Sequence, residues 1–286
     1  MGTEPLISVV MPVRNAAPYI REAVDSVLAQ DWPNWELLVV DNGSTDGSLE
    51  RLADITDRRL HRLHEPRPGV STARNHGLAR MQGAFYCFLD ADDRLPRNSL
   101  RARAMVLMAD PGTMFADGRV LAMDHGSGAL SPLYSPGFRG VPFDALMAMD
   151  GSVFFGPSWM ARRTPTTVPR FPEHMRHAED LAFYLSMGRA GRYDHTDQVV
   201  LHYRKGHASA MTDLDGLWAG YRQLYGHVLA LRPPPRTEQL GYLWTKARTI
   251  MCKSYLRRGR WKAAIKVWLC PRPTGPQGNE RVEHDG

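Results

Sequence analysis

Two rhythms of apolar residues run through the first third of the chain. Short, largely β-branched runs over 7–11 and 35–40 are bounded by turn formers, the pattern of buried strands. Between them Ile20, Ala23, Val24, Val27 and Leu28 recur at helical spacing, which predicts a helix over 16–30 with one buried face. A weaker strand is expected over 59–63, a helix over 71–81 and a strand over 85–89 that ends at Asp90. Ser44 or Thr45 is read as the cap of another helix starting near Asp46. Strands and helices alternating at these lengths indicate βαβ units, hence an α/β fold around a mostly parallel sheet.

The pattern loosens after residue 112. One or two strands are expected over 113–123, and a long Gly-, Ser- and Pro-rich loop over 124–140. Prolines and exposed-looking aromatics over 154–172 suit a variable surface facing a substrate. A helix is predicted over 176–187, with Glu179 and Asp180 in its first turn, where acids are favoured. A short strand follows over 198–203. From 213 onward the chain reads as helical with a break at Arg232 to Pro235, and the Gly/Pro-rich residues after Pro271 read as disordered.

Composition narrows the class. The chain has 286 residues, 43% apolar and 23% charged, with 25 Gly and 21 Pro. Those values exclude a wholly disordered, collagen-like or coiled-coil chain. Cys87, Cys252 and Cys270 make neither a disulfide framework nor a C-x-x-C pair, which fits a reducing cytosol. No run of about 18 apolar residues predicts a membrane span. The N-terminal apolar run is preceded by Glu4 and no basic residue, so it reads as a first strand rather than a secretory signal.

The net charge of +6 is a local feature. Nine Lys and Arg and no acid lie between 241 and 272, and the rest of the chain sets 27 Lys and Arg against 30 Asp and Glu. Trp261, Ala264, Ile265, Trp268 and Leu269 share one helical face, flanked by Arg260, Lys262 and Lys266. Such a helix suits the surface of an anionic bilayer, or else packs on the remainder with its charges in water. The expectation is a peripheral membrane contact through 246–270. No nucleic-acid partner is expected, because the basic run is confined to the end and no nucleic-acid motif accompanies it.

Four constellations carry candidate chemistry. Sheets of this kind bind ligands beyond the carboxyl ends of their strands, where Pro12, Val13, Arg14, Asn15, Asp41 and Asp90 all fall. Asp90, Asp92 and Asp93 crowd three carboxylates behind an apolar strand. They read as a Mg²⁺ or Mn²⁺ site with hard oxygen donors, or as a solvated turn capping the helix near Arg97. The run from Arg67 to Gly77 places a Pro-Gly turn before a helix N-terminus that attracts anions, with Arg74 as a further donor. Glu179 and Asp180 either complement a helix dipole or supply a general base. Around His202, Arg204, Lys205 and His207, either histidine is a candidate metal or diphosphate contact, and His207 is preferred.

Taken in order, these motifs resemble the family 2 glycosyltransferases. The resemblance rests on Pro12 to Asn15, Val40 to Ser48, Gly69 to Gly77, Phe88 to Asp93 and Glu179 with Asp180, and covers roughly residues 6–210. It implies an inverting enzyme of GT-A fold (Rossmann-like), most similar to short bacterial members that build surface glycans. It implies a catalytic domain over 1–210, with a nucleotide-binding half over 1–110 and an acceptor-facing half over 111–210. A helical region over 211–270 and a tail over 271–286 follow. By the same resemblance Pro12, Val13, Asn15, Gly43, Ser44 and Ala91 contact the nucleotide-sugar. Asp41 bonds the base, typically uracil, and Arg74 lies near the base or phosphates. Asp90 lies near the ribose, Asp92 binds Mn²⁺ or Mg²⁺ with His207 as a further ligand, and Asp93 supports the loop. Asp180 is the catalytic base and Glu179 binds the acceptor or orients Asp180.

The donor would be a nucleotide-sugar, and the acceptor a glycan or lipid-linked hydroxyl, reached in the cytoplasm or at the inner membrane face. The Gln-x-x-x-Trp acceptor motif and membrane helices of processive synthases are not evident. The segment 123–172 matches no named motif and is expected to hold the acceptor. A sugar nucleotidyltransferase is the rival enzyme, although no Gly-rich basic loop follows the first strand. A non-catalytic nucleotide-sugar-binding relative is the other rival.

Overall fold

The computed structural model describes residues 4–164, 169–206 and 212–273. The parallel half of its sheet contains β1 (Ile7–Val13), β2 (Trp35–Asp41), β3 (Leu60–His64) and β4 (Phe85–Phe88). Every residue of β1, β2 and β4 is buried, as strands covered on both faces require. β1 runs parallel to β2 on one side and β4 on the other, and β3 extends the sheet past β2.

The second half is mixed, with β5 (Thr113–Asp124), β6 (Leu130–Tyr134), β7 (Met160–Arg162) and β8 (Arg192–Lys205). β7 joins the halves by pairing antiparallel with β4 and β5. β5 also pairs antiparallel with β6 and parallel with β8. The order across the sheet is β3-β2-β1-β4-β7-β5-β6, with β8 beside β5.

The described residues form eight α-helices: α1 (Ile20–Leu28), α2 (Val70–Leu78), α3 (Ser99–Ala109), α4 (Phe143–Ala148), α5 (Glu179–Met187), α6 (Leu214–Leu229), α7 (Thr237–Arg257) and α8 (Trp261–Leu269). α1 buries the expected stripe of Ile20, Ala23, Val24 and Val27. α2 lies so close to β1 that a Cβ on Gly77 would stand 2.5 Å from a Val10 methyl, so only glycine fits there.

Three expectations need correction. No α-helix starts near Asp46; only a 3₁₀ turn, Glu50–Leu52, forms. Instead Ser44 Oγ, Ser48 Oγ and Asp46 Oδ2 accept the backbone N–H groups of Asn15, Ala16 and Ala17 at 3.1, 2.8 and 2.8 Å. These short polar side chains are spent across the crevice on donors ahead of α1, so they cannot cap a helix of their own. The loop expected over 124–140 contains β6, reached through a turn in which Asp124 accepts the Ser127 N–H and Gly128 takes φ +69°. Pro132 hides that strand from a compositional reading but is tolerated at a sheet edge. The aromatics over 154–172 are not a wet surface. Trp159 packs between Phe115, Tyr184 and Tyr193, and Phe171 stacks on Phe183 with ring centroids 4.0 Å apart.

Leu224, Tyr225 and Val228 of α6 and Leu243 and Trp244 of α7 share one core cluster with Phe88, Phe171 and Phe183. These helices are therefore built onto the sheet. α8 attaches through a smaller cluster of Ala264 and Val267 against Leu217, Met251 and Tyr255. The disorder expected at the C-terminus concerns residues beyond 273, outside the described residues.

Candidate active site

Sheet register sets the site. Val13 at the end of β1 pairs with Asp41 at the end of β2, and the Leu89 N–H donates to the Val10 carbonyl. The segments following β1, β2 and β4 consequently leave the sheet side by side. A cavity of about 620 Å³ opens there, lined by Pro12, Val13, Asn15, Arg74, Asp90, Ala91, Asp92 and Glu179 among others.

Local conformation explains several of these residue types. Asn15 holds φ +52° and its Oδ1 accepts the Thr45 N–H, a left-handed position that asparagine tolerates well. Gly69, at φ +130°, starts α2 and donates its N–H to Asn42 Oδ1 at 2.7 Å. Ala178 has φ +58° immediately before Glu179, a strained turn for a non-glycine residue. That turn sets the direction from which Glu179 and Asp180 enter the site.

Arg74 is the hub. Its side chain is 4% exposed and bridges Asp90 at 2.8 Å and Glu179 at 3.1 Å. Burial alone would lower the guanidinium pKa, but Asp90 and Glu179 outweigh it and raise it. A buried guanidinium without partners would be very costly, so its two ends are committed to carboxylates. Arg74 lines the cavity and at the same time joins the loop after β4 to the start of α5, 105 residues away in sequence. Phe171 lies against it, with the guanidinium carbon 5.2 Å from the ring centroid.

Asp180 stands on the far side of Glu179. It lines a second, apolar pocket of about 220 Å³ with Leu146, Met149, Val153, Phe154, Phe155 and Tyr221. Its Oδ1 accepts the Leu181 N–H at 2.7 Å. Burial, then the neighbouring Glu179 charge, pushes its carboxyl up to about 7 against the opposing pull of Arg74. A carboxyl poised near neutrality beside a cavity has the properties of a general base.

The loop bearing Asp92 is held from β8. Asp93 is buried and accepts the Arg204 N–H at 2.8 Å, while Arg204 Nε donates to the Asp92 carbonyl at 2.7 Å. Burial, with Asp90 and Asp92 nearby, raises Asp93 well above the usual carboxylate range. Arg204 therefore organises this loop. It is itself buried, with Glu22 at 2.9 Å.

The remaining expected residues lie elsewhere. Asp41 accepts the Ser44 N–H at 3.1 Å, and Asp41, Gly43 and Ser44 do not line the cavity, whereas Asn42 does. His202 exchanges backbone hydrogen bonds with Arg94 and also lies off the cavity wall. His207 is outside the described residues. Sequence reasoning passed over Tyr19, Asn42 and Arg176, which all line the cavity. For Arg176 the available signal was its position three residues before the acidic pair.

The donor set fits a hard dication. Asp90 and Asp92 line one wall of the cavity, and among the described residues no cluster of three His, Cys, Asp or Glu forms a cage of its own. One or two carboxylates completed by phosphate oxygens is the usual Mg²⁺ arrangement.

Known proteins share this architecture and sequence. The profile of "Glycosyl transferase family 2" matches residues 8–144. The chain is 31% identical over 191 residues to the putative teichuronic acid biosynthesis glycosyltransferase TuaG of Bacillus subtilis, covering 66% of this chain and 74% of that protein. It is 33% identical over 188 residues to an uncharacterized glycosyltransferase of Haemophilus influenzae, covering 63% and 71%. Among solved structures, S. aureus TarS 1–349 in complex with UDP-GlcNAc superposes with a TM-score of 0.68 at 19% identity, over 91% of this chain and 81% of that one. The mannosyltransferase PcManGT of Pyrobaculum calidifontis, in complex with GDP-Man and Mn²⁺, gives 0.61 at 21% identity, over 92% and 79%. The structural likenesses establish the GT-A fold, and identity of this degree over most of a relative's length establishes kinship; the chain belongs to glycosyltransferase family 2.

Proposed function

We propose that the protein transfers a sugar, with inversion, from a UDP-sugar to a hydroxyl of a glycan or lipid-linked acceptor in bacterial surface polysaccharide synthesis. The observation that supports this reading is the Arg74 bridge between the donor-side carboxylate Asp90 and Glu179, whose chain neighbour Asp180 lines a second, apolar pocket. The names of TuaG and TarS support the glycan and UDP parts of the reading.

In this mechanism the nucleotide lies along Pro12, Val13 and Asn15. Asp41, outside the cavity lining but next to the cavity-lining Asn42, would meet a base extending past Asn42 through Oδ2, whose 3.4 Å contact to the exposed His64 is weak enough to be exchanged. Asp92 would hold Mn²⁺ or Mg²⁺. When bound, that ion supplies Lewis-acid neutralisation of the departing diphosphate. The acceptor occupies the apolar pocket of Phe154, Phe155 and Tyr221. Asp180 takes its hydroxyl proton as the oxygen attacks the anomeric carbon opposite the diphosphate. The carbon–oxygen bond to the nucleotide breaks in the same displacement, which inverts the configuration. Glu179, fixed by Arg74, orients Asp180.

Incubation with a panel of nucleotide sugars tests the reading. Release of nucleoside diphosphate with an inverted product is expected; release of pyrophosphate would establish a nucleotidyltransferase instead. Asp92→Ala is expected to lower turnover at least 10²-fold, and EDTA to abolish wild-type activity. Full activity in EDTA refutes the metal assignment. Arg176, which lines the cavity with no carboxylate partner among the described residues, is assigned to the donor diphosphate. Arg176→Ala should raise the donor KM by about tenfold with little change in kcat, the loss of one charge-assisted contact. An unchanged KM removes it from the donor site.

A further inference from the structure

α8 packs the wrong way round for a helix that merely covers the domain. It turns Ala264 and Val267, small apolar residues, onto Leu217, Met251 and Tyr255. It leaves its four largest apolar residues outward: Trp261 57%, Ile265 51%, Trp268 57% and Leu269 72% exposed. A contiguous apolar surface of this kind marks a docking site.

The charges around it define the partner. Lys253, Arg257, Arg258, Lys262, Lys266 and Arg272 are all exposed, and Arg260 beside them is paired with Asp215 at 3.0 Å. Lys262 and Lys266 occupy the strip of α8 next to the apolar one. The Lys262 ammonium stands 5.4 Å from the Trp261 ring centroid and the Arg248 guanidinium 4.9 Å from that of Trp268, so cations rim the indoles. A second copy of the chain would bring like charges face to face. A nucleic acid would leave two tryptophans, an isoleucine and a leucine without apolar cover.

We propose that α8 and the end of α7 dock the protein on an anionic lipid bilayer. The α8 apolar face enters the headgroup–acyl boundary and the cations remain among the anionic headgroups. At nine residues α8 is about 13 Å long and lies in the interface. Among the described residues no helix is long and apolar enough to cross a membrane. The docked face connects to the site: α6 packs Leu217 beneath α8 and presents Leu217 and Tyr221 to the Asp180 pocket.

Flotation of the full chain with extruded vesicles tests the docking without reference to any transfer chemistry. Vesicles of phosphatidylglycerol and phosphatidylcholine should carry the wild-type protein upward, and phosphatidylcholine alone should not. Trp261→Ser with Trp268→Ser, and separately Lys262→Glu with Lys266→Glu, should each lower partitioning at least tenfold at unchanged melting temperature; each basic residue is worth about fivefold. In the unmutated chain, brominated acyl chains should quench tryptophan fluorescence only when the anionic lipid is present. Wild-type flotation by both variants, or no flotation and no quenching by the wild type, overturns the proposal. A dimer in sedimentation that the tryptophan pair dissolves, without flotation, assigns the face to a second copy and overturns it equally.

Discussion

Asp180→Asn should lower turnover by about 10²–10⁴, the usual contribution of a general base, while leaving donor affinity nearly unchanged. The substitution keeps the size and the Leu181 N–H acceptor and removes only the proton-accepting charge. Donor affinity is spared because Asp180 lines the neighbouring apolar pocket rather than the donor cavity. The wild-type rate should fall below about pH 7, because only the ionised carboxylate accepts a proton and burial has pushed it up to about 7. The same shift fixes the sign of the stability change. Between 3.8, its ordinary value, and about 7 the folded protein holds a proton that the unfolded chain has lost. Stability from this group is therefore full below the ordinary value and is lost as pH rises through about 7. At pH 8 the asparagine variant should be the more stable protein, by on the order of 2 kcal/mol, with the gap closing toward acid pH. Turnover and melting temperature across a pH series check both halves. Near-wild-type turnover, or an acid limb near pH 4, removes Asp180 from this role.

Residues near one another in sequence were legible before any coordinates; their long-range commitments were not. The buried strands over 7–11, 35–40 and 85–89 and the stripe of α1 announce themselves because burial on two faces or on one helical face leaves a period in the chain. β6 left no such period, since an edge strand answers to one neighbour and tolerates Pro132. That the segments after β1 and β4 line one crevice follows from the rule that such sheets open at their carboxyl ends, whereas the acidic pair of α5 enters only through the family resemblance. What Arg74 binds did not follow, because a guanidinium beside a helix N-terminus serves a phosphate or a carboxylate equally well. In the structure it meets two carboxylates beneath Phe171, through contacts made by residues about 100 positions away. The cap expected at Ser44 or Thr45 fails for a related reason. Both are N-caps by type, yet Ser44 Oγ accepts the Asn15 N–H and Thr45 donates its N–H to Asn15 Oδ1, across the crevice.

Removing the hub should be the most destabilising change near the site. Arg74→Ala is expected to cost about 3–5 kcal/mol, because it strands Glu179, 13% exposed, and Asp90 beside Asp180 without their shared cation. For a chain of this size that corresponds to a melting temperature lower by about 10 °C. The deficit should be largest at alkaline pH and shrink on acidification. Without Arg74 the clustered carboxyls bind protons more tightly folded than unfolded, so their contribution falls as pH rises. The acid limb of any residual activity should move above 7, since Arg74 is the charge that pulls Asp180 down. Arg74→Met combined with Asp90→Asn and Glu179→Gln separates two roles. Replacing all three charges should restore the melting temperature, as replacement of a buried ion network by neutral groups commonly does. Turnover should stay low, because nothing then orients Asp180 toward the acceptor hydroxyl. A triple variant that regained turnover would make the bridge a device of stability alone, and an Arg74→Ala protein melting with the wild type would deny it even that.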